Sequence, residues 1–303
     1  MLDRTSSGKS GSAGFALLVV LAFLLIVSAI ITPFAITART RLMIARNETE
    51  HQRLSLLADG LSNVLAAELT GEKPPPALKI NSEPAQCRIG PFNFEIVVQD
   101  HAGLIDLNAA DDETLSLGFR SLGFDEAKAK LLATSVASYR GASTSVFSEE
   151  AIAGVGPATS KHAAFESVSE LQDFRALARL DLRDLLSVFT IKSFRGIPAP
   201  ERAPVRLRAA FGGRSLVDTA VYEGARISVY TIEVTVGRDG SGTAGHAGYV
   251  VEATPSQPGG FRRLSQVLQR QSGIIPPRQP IAQDCDVFFG TPVSNMIRKW
   301  GDE

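Results

Sequence analysis

A run of 17 uncharged residues, from Phe15 to Ile31, constrains this chain more than any other feature. Apolar character continues through Ile36, which brings the run to about the 20 residues that span a bilayer as a helix. The small residues Ser12, Ala13 and Gly14 lie directly before it. A secretory signal peptide is cut after its apolar region, at small residues. A cut after Gly14 would instead keep the apolar helix on the mature protein.

Helical periodicity continues beyond the membrane run. Apolar residues recur at spacings of three and four at Leu54, Leu57, Leu61, Val64 and Leu65. This spacing predicts a helix with one apolar face, and Gly71 followed by Pro74-Pro75-Pro76 predicts its end. We therefore predict one long helix with a membrane part at 15–36 and a soluble part at 37–71 that packs on a soluble domain. A plain signal anchor followed by an amphipathic stalk is the alternative.

Composition limits the classes of function. The chain has 303 residues and a formal net charge of -1, so no global charge favours binding to nucleic acid. Its four histidines are scattered and form no metal-ligand or catalytic spacing, and we predict a protein that is not an enzyme. Cys87 and Cys285 form no CxxC motif. A disulfide between them and two buried free thiols both fit the sequence.

The Gly14-Phe15 junction and the run after it resemble the N-terminus of the type IV pilin and pseudopilin family. That resemblance implies cleavage after Gly14 by a prepilin peptidase and methylation of the new N-terminus at Phe15. Most members of the family carry Glu at the fifth mature position, where this chain has Val19. An intramembrane carboxylate is costly and usually functional. In the filaments of this family the Glu is expected to pair with the N-terminus of a neighbouring subunit. Its replacement by Val19 implies a subunit that lacks this pairing group, and so a place at the end of a filament.

Two internal segments resemble the K-type minor pseudopilins of the type II secretion system, which typically lack this Glu. They are the segment 100–108, through Asp100, Gly103, Ile105, Leu107 and Asn108, and the segment Phe165 to Leu171. The resemblance implies a structural subunit at the tip of a periplasmic pseudopilus that takes part in protein secretion across the outer membrane. It implies as partners the I- and J-type minor pseudopilins, the major pseudopilin and the prepilin peptidase, with no nucleic acid. It also implies a single pass through the bacterial inner membrane, with the C-terminal domain in the periplasm.

The predicted fold is α+β, with the long N-terminal helix packed on an antiparallel sheet in a pilin-like manner. An all-helical subdomain, similar to SAM or helix-hairpin-helix domains, is inserted in it. The predicted boundaries are 1–14 for the leader, 15–36 and 37–71 for the two parts of the helix, 79–108 for the first part of the sheet, 109–188 for the helical insertion and 189–303 for the rest of the β domain.

Local patterns predict the elements of the soluble region. Helices are expected to start at Asp111 and Ser167, and to cover Asp125–Tyr139, Pro157–Ala164 and Asp181–Val188. Strands are expected at Phe92–Val98, Phe189–Phe194, Val205–Phe211, Arg226–Val236, Gly248–Ala253 and Val287–Phe289. Residues Asp239 to Thr243 have the composition of a turn.

The segment Gly154 to Thr159 resembles the hairpin of helix-hairpin-helix modules, in which backbone amides contact a phosphate. Residues 101–180 hold 11 acidic and 7 basic residues, a net charge of -4, whereas phosphate binding needs clustered cations. A membrane-anchored DNA-binding protein of a competence-like system is therefore an alternative function. A signal-anchored periplasmic enzyme is another.

A cluster of oxygen ligands follows the first predicted strand. Its members are Asp100, Asp106, Asn108, Asp111 and Asp112. Ca²⁺ takes six to eight oxygen ligands, so the cluster is a candidate calcium site, although its spacing is not that of an EF-hand loop. Acids at helix starts and in solvated turns are the alternative interpretation.

Overall fold

The computed structural model describes residues 11–71, 77–141, 149–157, 161–212, 228–254, 260–267 and 284–301. The chain forms two compact units that divide between Gln52 and Arg53. The helices are α1 (Gly11–Thr70), α2 (Asp112–Ser121), α3 (Glu126–Tyr139), α4 (Glu149–Val155), α5 (Leu182–Leu186), α6 (Val205–Phe211) and α7 (Asp286–Gly301). The strands are β1 (Ala85–Ile89), β2 (Phe92–Asp100), β3 (Ile105–Asp106), β4 (Phe189–Thr190), β5 (Val229–Arg238), β6 (Ala244–Ala253) and β7 (Phe261–Gln266). Short 3-10 helices cover His101–Gly103, Val168–Asp173 and Pro200–Arg202.

The first unit contains the N-terminal part of α1, an apolar helix with exposed side chains. A window of 18 residues in it has a mean hydropathy of 3.0, so α1 is long and apolar enough to cross a membrane. The hydroxyls of Thr32 and Thr37 donate to the carbonyl oxygens of Ser28 and Pro33 at 2.7 and 2.8 Å. Such bonds satisfy polar groups that hydrocarbon would leave unpaired. The predicted apolar helix is therefore confirmed, although it begins at Gly11 rather than Phe15.

The second unit begins with the C-terminal part of α1, which buries one face against a sheet. The buried residues of this face are Leu54, Ala58, Leu61, Leu65, Ala66 and Leu69. They recur at spacings of three, four and one, as the sequence periodicity predicts, and Leu57 and Val64 pack at the margin. The helix ends at Thr70, immediately before Gly71, which confirms the predicted stop.

The sheet under this helix has five antiparallel strands in the order β1-β2-β5-β6-β7. Alternate residues of β2 are buried, and Phe92, Phe94, Ile96 and Val98 share one hydrophobic cluster with α1. The helix and the sheet meet closely at Gly245 of β6. A Cβ atom at this position would overlap the backbone of Leu54 and Ser55, so only glycine admits the helix here.

Between β2 and β5 the chain forms a second hydrophobic cluster, which we call the helical body (residues 105–211). It is built from α2 to α6, and β3 pairs with β4 in a two-stranded parallel sheet at its centre. We call the other part the sheet body; it consists of residues 53–70, the five-stranded sheet and α7. The helical body reaches beyond the predicted insertion, 109–188, because α6 contributes Leu207 and Phe211 to its core.

Several predicted elements are confirmed with shifted ends. Asp125 caps α3 by accepting from the backbone N–H of Lys128 at 2.8 Å, and Asp111 caps α2 in the same way. Ser167 and Glu170 form a capping box at the start of a 3-10 helix. The predicted strands at 92–98, 226–236 and 248–253 correspond to β2, β5 and β6, although residues 226–227 lie outside the described part.

Other predicted elements are wrong. Val205–Phe211, predicted as a strand, is helix α6, because Leu207 and Phe211 lie one helical turn apart and both reach the core. Val287–Phe289 belongs to helix α7. Only Phe189–Thr190 of the predicted strand 189–194 is extended. Residues 161–164 of the predicted helix at 157–164 are not helical, and residues 158–160 lie outside the described part. The sequence patterns also missed β1 and β7.

Candidate functional site

The N-terminal segment presents an apolar surface on all sides. Phe15 is 71% exposed and Val19, one helical turn further, is 52% exposed, so both side chains lie on the same face of α1. A helix that is apolar all round belongs in lipid or among other apolar helices. Gly14 lies in α1 by its backbone, and residues 1–10 of the predicted leader lie outside the described part. The roles of Gly14, Phe15 and Val19 stay predictions.

Asp106, a candidate calcium ligand, is completely buried and accepts five hydrogen bonds from the protein. Its Oδ1 accepts from the backbone N–H groups of Asn108 and Ala109 at 2.9 and 3.2 Å. Its Oδ2 accepts from the backbone N–H groups of Ser193 and Phe194 at 3.0 and 2.8 Å, and from the Ser193 hydroxyl at 3.2 Å. The carboxylate therefore ties the turn after β3 to the loop after β4.

Asp100, a second candidate ligand, is also buried and paired. Its Oδ1 accepts from the backbone N–H of Ala102 at 2.8 Å, and its Oδ2 lies 2.6 Å from Nη1 of Arg202. Burial raises the pKa of Asp100, while the Ala102 N–H and the Arg202 charge act in the opposite direction. The pairing with Arg202 supplies the counter-charge that a buried carboxylate needs.

The other three candidates meet different partners. Asn108 exchanges two hydrogen bonds with the backbone of Phe165, Asp111 caps α2, and Asp112 accepts from the Thr134 hydroxyl at 3.3 Å. Within the described ranges, no three or more His, Cys, Asp or Glu residues are grouped so as to hold a metal ion. Each of these side chains has hydrogen-bond partners of its own within the protein, and the calcium site stays a prediction.

His101 joins the helical body to the sheet body. Its Nδ1 lies 2.7 Å from the hydroxyl of Thr190 on β4, and its Nε2 lies 2.9 Å from the hydroxyl of Thr231 on β5. Burial and, to a smaller extent, the positive charge of Lys192 together lower the pKa of His101 to about 4. The ring is therefore neutral in the folded protein at neutral pH, and it connects two hydroxyls with one donor and one acceptor.

Further contacts close this junction, which we call the polar seam (Gln99, Asp100, His101 and Gly103 against Thr190, Arg202 and Thr231). The side chain of Gln99 donates to the carbonyl oxygen of Arg202 at 3.0 Å. The backbone of Arg202 lies so close to Gly103 that a Cβ atom on this glycine would overlap it. Sequence reasoning missed the seam, because no motif marks Thr190, Arg202 or Thr231 as partners of residues 99–103.

The neutral state of His101 predicts a stability that depends on pH. In the unfolded chain the pKa of histidine is about 6.5, above the folded value of about 4, so protons favour the unfolded state. The stabilisation is complete above pH 6.5 and is lost as the pH falls from 6.5 towards 4. We expect the free energy of unfolding to fall by about 3 kcal/mol over this range.

Urea unfolding of the full-length chain at a series of pH values checks this prediction. The raised pKa of Asp100 acts in the opposite direction at low pH, and Arg202, Tyr230 and Lys192 also face the seam. The contribution of His101 is therefore the difference between wild type and His101→Gln, which keeps a donor and an acceptor but does not titrate. Equal pH dependence in both proteins would contradict the prediction.

Cys87 and Cys285 form a disulfide in the structure, with a Cα–Cα distance of 5.1 Å. Both residues are completely buried, and the bond fastens β1 to the residue before α7. Near the other end of α7, Trp300 stacks on Phe92 at 5.3 Å between ring centroids, and the guanidinium of Arg53 lies 5.1 Å from the Trp300 ring centroid. Helix α7 is thus attached to the five-stranded sheet at both ends.

Asp284 and Asp286, two acidic residues on either side of Cys285, are both bound by one arginine. The Arg298 guanidinium lies 2.8 Å from Asp284 and 3.2 Å from Asp286. The segment Gly154 to Thr159, which resembles a helix-hairpin-helix hairpin, also has protein partners. The carbonyl oxygens of Val155 and Gly156 accept hydrogen bonds from the backbone N–H groups of Ala176 and Arg175. Ala158 and Thr159 of this motif lie outside the described part.

No protein-family model matches this chain, and no curated protein sequence matches it. A solved structure that is similar to it is the crystal structure of the GspK-GspI-GspJ complex from the type 2 secretion system of enterotoxigenic Escherichia coli. The similarity has a TM-score of 0.46 at 14% sequence identity, over 76% of this chain and 100% of that chain. A likeness this loose assigns no function by itself.

Proposed function

We propose that this chain is a minor pseudopilin of the type II secretion system, similar to the K-type subunits, and a non-enzymatic structural component at the tip of the periplasmic pseudopilus. The observation that carries the proposal is the apolar part of α1, which follows the small residue Gly14 directly and exposes apolar side chains on all sides. A helix that is kept after processing has this surface available for packing against other helices. Such packing depends on shape, because lipid is as apolar as the helix.

The position at the tip is supported by Val19. A carboxylate at this position of the membrane helix would need a partner in a neighbouring subunit, since an unpaired charge in lipid is costly. Valine makes no such demand, so this subunit needs no further subunit above it. The helical body inserted between β2 and β5 agrees with a terminal position, because it adds bulk that a repeating shaft would have to accommodate at every subunit.

The disulfide supports a compartment outside the cytosol. Disulfides persist in oxidising compartments such as the bacterial periplasm and are rare in the cytosol. A buried disulfide between Cys87 and Cys285 agrees with a single pass through the inner membrane and a soluble unit in the periplasm. The partners in this proposal are the I- and J-type minor pseudopilins, the major pseudopilin and the prepilin peptidase.

Mass determination of the N-terminus, on protein from the native cell, tests the proposal. We expect a mature chain that starts at methylated Phe15 and lacks residues 1–14. The matched variant Gly14→Leu places a bulky side chain at the cut and is expected to keep the leader. An intact Met1 in the wild type, or a cut after residue 31, would contradict the proposal and favour a signal anchor or a secreted protein.

A further inference from the structure

The loop that follows β4 displays a large aromatic side chain to solvent. Phe194 is 72% exposed, and its backbone is in the left-handed region, with φ at 53°. A bulky residue in this region is strained, and such residues persist where the surrounding structure holds them in place. The position thus combines backbone strain with the exposure of an apolar ring.

The backbone of this loop is fixed from below. The completely buried carboxylate of Asp106 binds the N–H groups of Ser193 and Phe194 and the hydroxyl of Ser193. At the start of the loop, the hydroxyl of Thr190 accepts the backbone N–H of Lys192 at 3.0 Å. The backbone of Phe194 is therefore held in place relative to the helical body, while its ring is exposed.

A role in folding alone explains the turn but not the aromatic residue. The hydrogen bonds to Asp106 come from backbone groups and from Ser193, so they do not need the side chain of residue 194. Glycine adopts a positive φ without strain and would expose no apolar surface. The phenylalanine lowers stability in two ways, through the strain of its backbone and through the exposure of its apolar ring. Residues that are kept despite such costs are often kept for binding.

The charges of the loop indicate the chemistry of its partner. Residues 191–199 contain two basic residues, Lys192 and Arg195, and no acidic residue. Lys192 and Arg195 flank Phe194 in the sequence and are half-buried, so a complementary surface has an apolar pocket with acidic groups near it. A lipid surface also attracts basic and aromatic residues, but it does not require that the backbone carrying them is held in one geometry. A fixed anchor favours a protein pocket, because pre-organisation lowers the cost of binding to a defined shape.

We infer that Phe194 is the anchor of a docking loop, residues 191–199, which inserts into an apolar pocket with an acidic rim on a neighbouring subunit of the pseudopilus tip. This inference rests on the proposed function, which supplies the neighbouring subunit. Buried aromatic anchors dominate the energy of many interfaces. Phe194 provides one whose backbone is already fixed before the partner arrives.

Photocrosslinking in the native cell tests the inference on the full chain. Phe194 is replaced by p-benzoylphenylalanine, and Met296, which is 65% exposed on α7, is replaced in the same way as a control. We expect an adduct from position 194 with another subunit that has a processed pilin-type N-terminus, and no such adduct from position 296. An adduct with lipid, with a second copy of this chain or with an unrelated protein would overturn the inference, and so would no adduct at all.

Two variants separate docking from folding. Phe194→Gly is expected to leave the unfolding midpoint unchanged or to raise it, and to lower the yield of co-purified neighbouring subunits about tenfold. Phe194→Tyr is expected to keep both the unfolding midpoint and the yield of co-purified subunits of the wild type. A lower midpoint for Phe194→Gly with an unchanged yield would show a structural role and overturn the inference. The N-terminal mass of the same preparation distinguishes the two failures: a mature Phe15 with no effect at position 194 rejects only the docking loop.

Discussion

Replacing Asp106 with alanine is expected to lower the free energy of unfolding by about 4 kcal/mol. The carboxylate is completely buried and accepts five hydrogen bonds from two segments of the chain, the turn at 108–109 and the loop at 193–194. Hydrogen bonds to charged groups contribute more than neutral ones, and donors left unsatisfied in the interior carry their own cost. The loss should therefore exceed that of an ordinary helix cap several-fold.

Urea unfolding of the full-length chain in detergent micelles measures this effect, with the fluorescence of Trp300, the single tryptophan of the sequence, as the signal. Asp125→Ala is the matched control. Asp125 is exposed and accepts one backbone N–H, so its loss should be about 1 kcal/mol. Equal losses for the two variants would contradict the role assigned to Asp106. A rise in wild-type stability on addition of Ca²⁺ that Asp106→Ala abolishes would instead support the calcium hypothesis.

The contrast between a metal ligand and an internal anchor shows where sequence reasoning ends. Asp100, Asp106 and Asp111 are recognisable from the sequence as an oxygen-rich group. What each carboxylate binds depends on residues far along the chain: Ser193 is 87 positions from Asp106, and Arg202 is 102 positions from Asp100. The acids are close together in the sequence but their donors are not, so the local pattern groups these acids without showing which partner each of them has.

The elements that were predicted correctly have long, regular patterns. The apolar face of α1 and the alternation in β2 repeat over several turns or residue pairs, and caps such as Asp125 mark where a helix starts. Val205–Phe211 is only seven residues long, and its apolar positions fit either a strand or a helix. A helix brings both Leu207 and Phe211 into the core of the helical body, and the segment is therefore helical.

The polar seam could not be predicted for the same reason as the hydrogen bonds of Asp106: its partners are far apart in the sequence. His101 meets Thr190 and Thr231, which are 89 and 130 positions away. Threonine is common on strands, so neither residue stands out in the sequence. The predicted fold class nevertheless predicts where such a junction lies. An insertion between two adjacent antiparallel strands leaves and rejoins the sheet at the same end, here the end of β2 and the start of β5.

Removal of the Cys87–Cys285 disulfide is expected to lower the free energy of unfolding by about 3 to 5 kcal/mol. The bond closes a loop with a sequence separation of 198 residues, so its loss returns considerable freedom to the unfolded chain. Cys87→Ala combined with Cys285→Ala tests this, since alanine leaves no unpaired polar group in the buried site. The unfolding midpoint followed by Trp300 fluorescence gives the measurement.

The two ends of α7 allow the effect of the disulfide to be separated from the effect of packing. Trp300→Leu removes the stacking on Phe92 and the contact with Arg53 but keeps the disulfide, and it is expected to cost about 1 to 3 kcal/mol; its unfolding is followed by circular dichroism. Because both sulfur-bearing residues are completely buried, a reducing agent should act on the wild type only under conditions that unfold it. Alkylation of both thiols in the urea-unfolded protein without reduction would show that they are free, and that α7 is attached to the five-stranded sheet by packing alone.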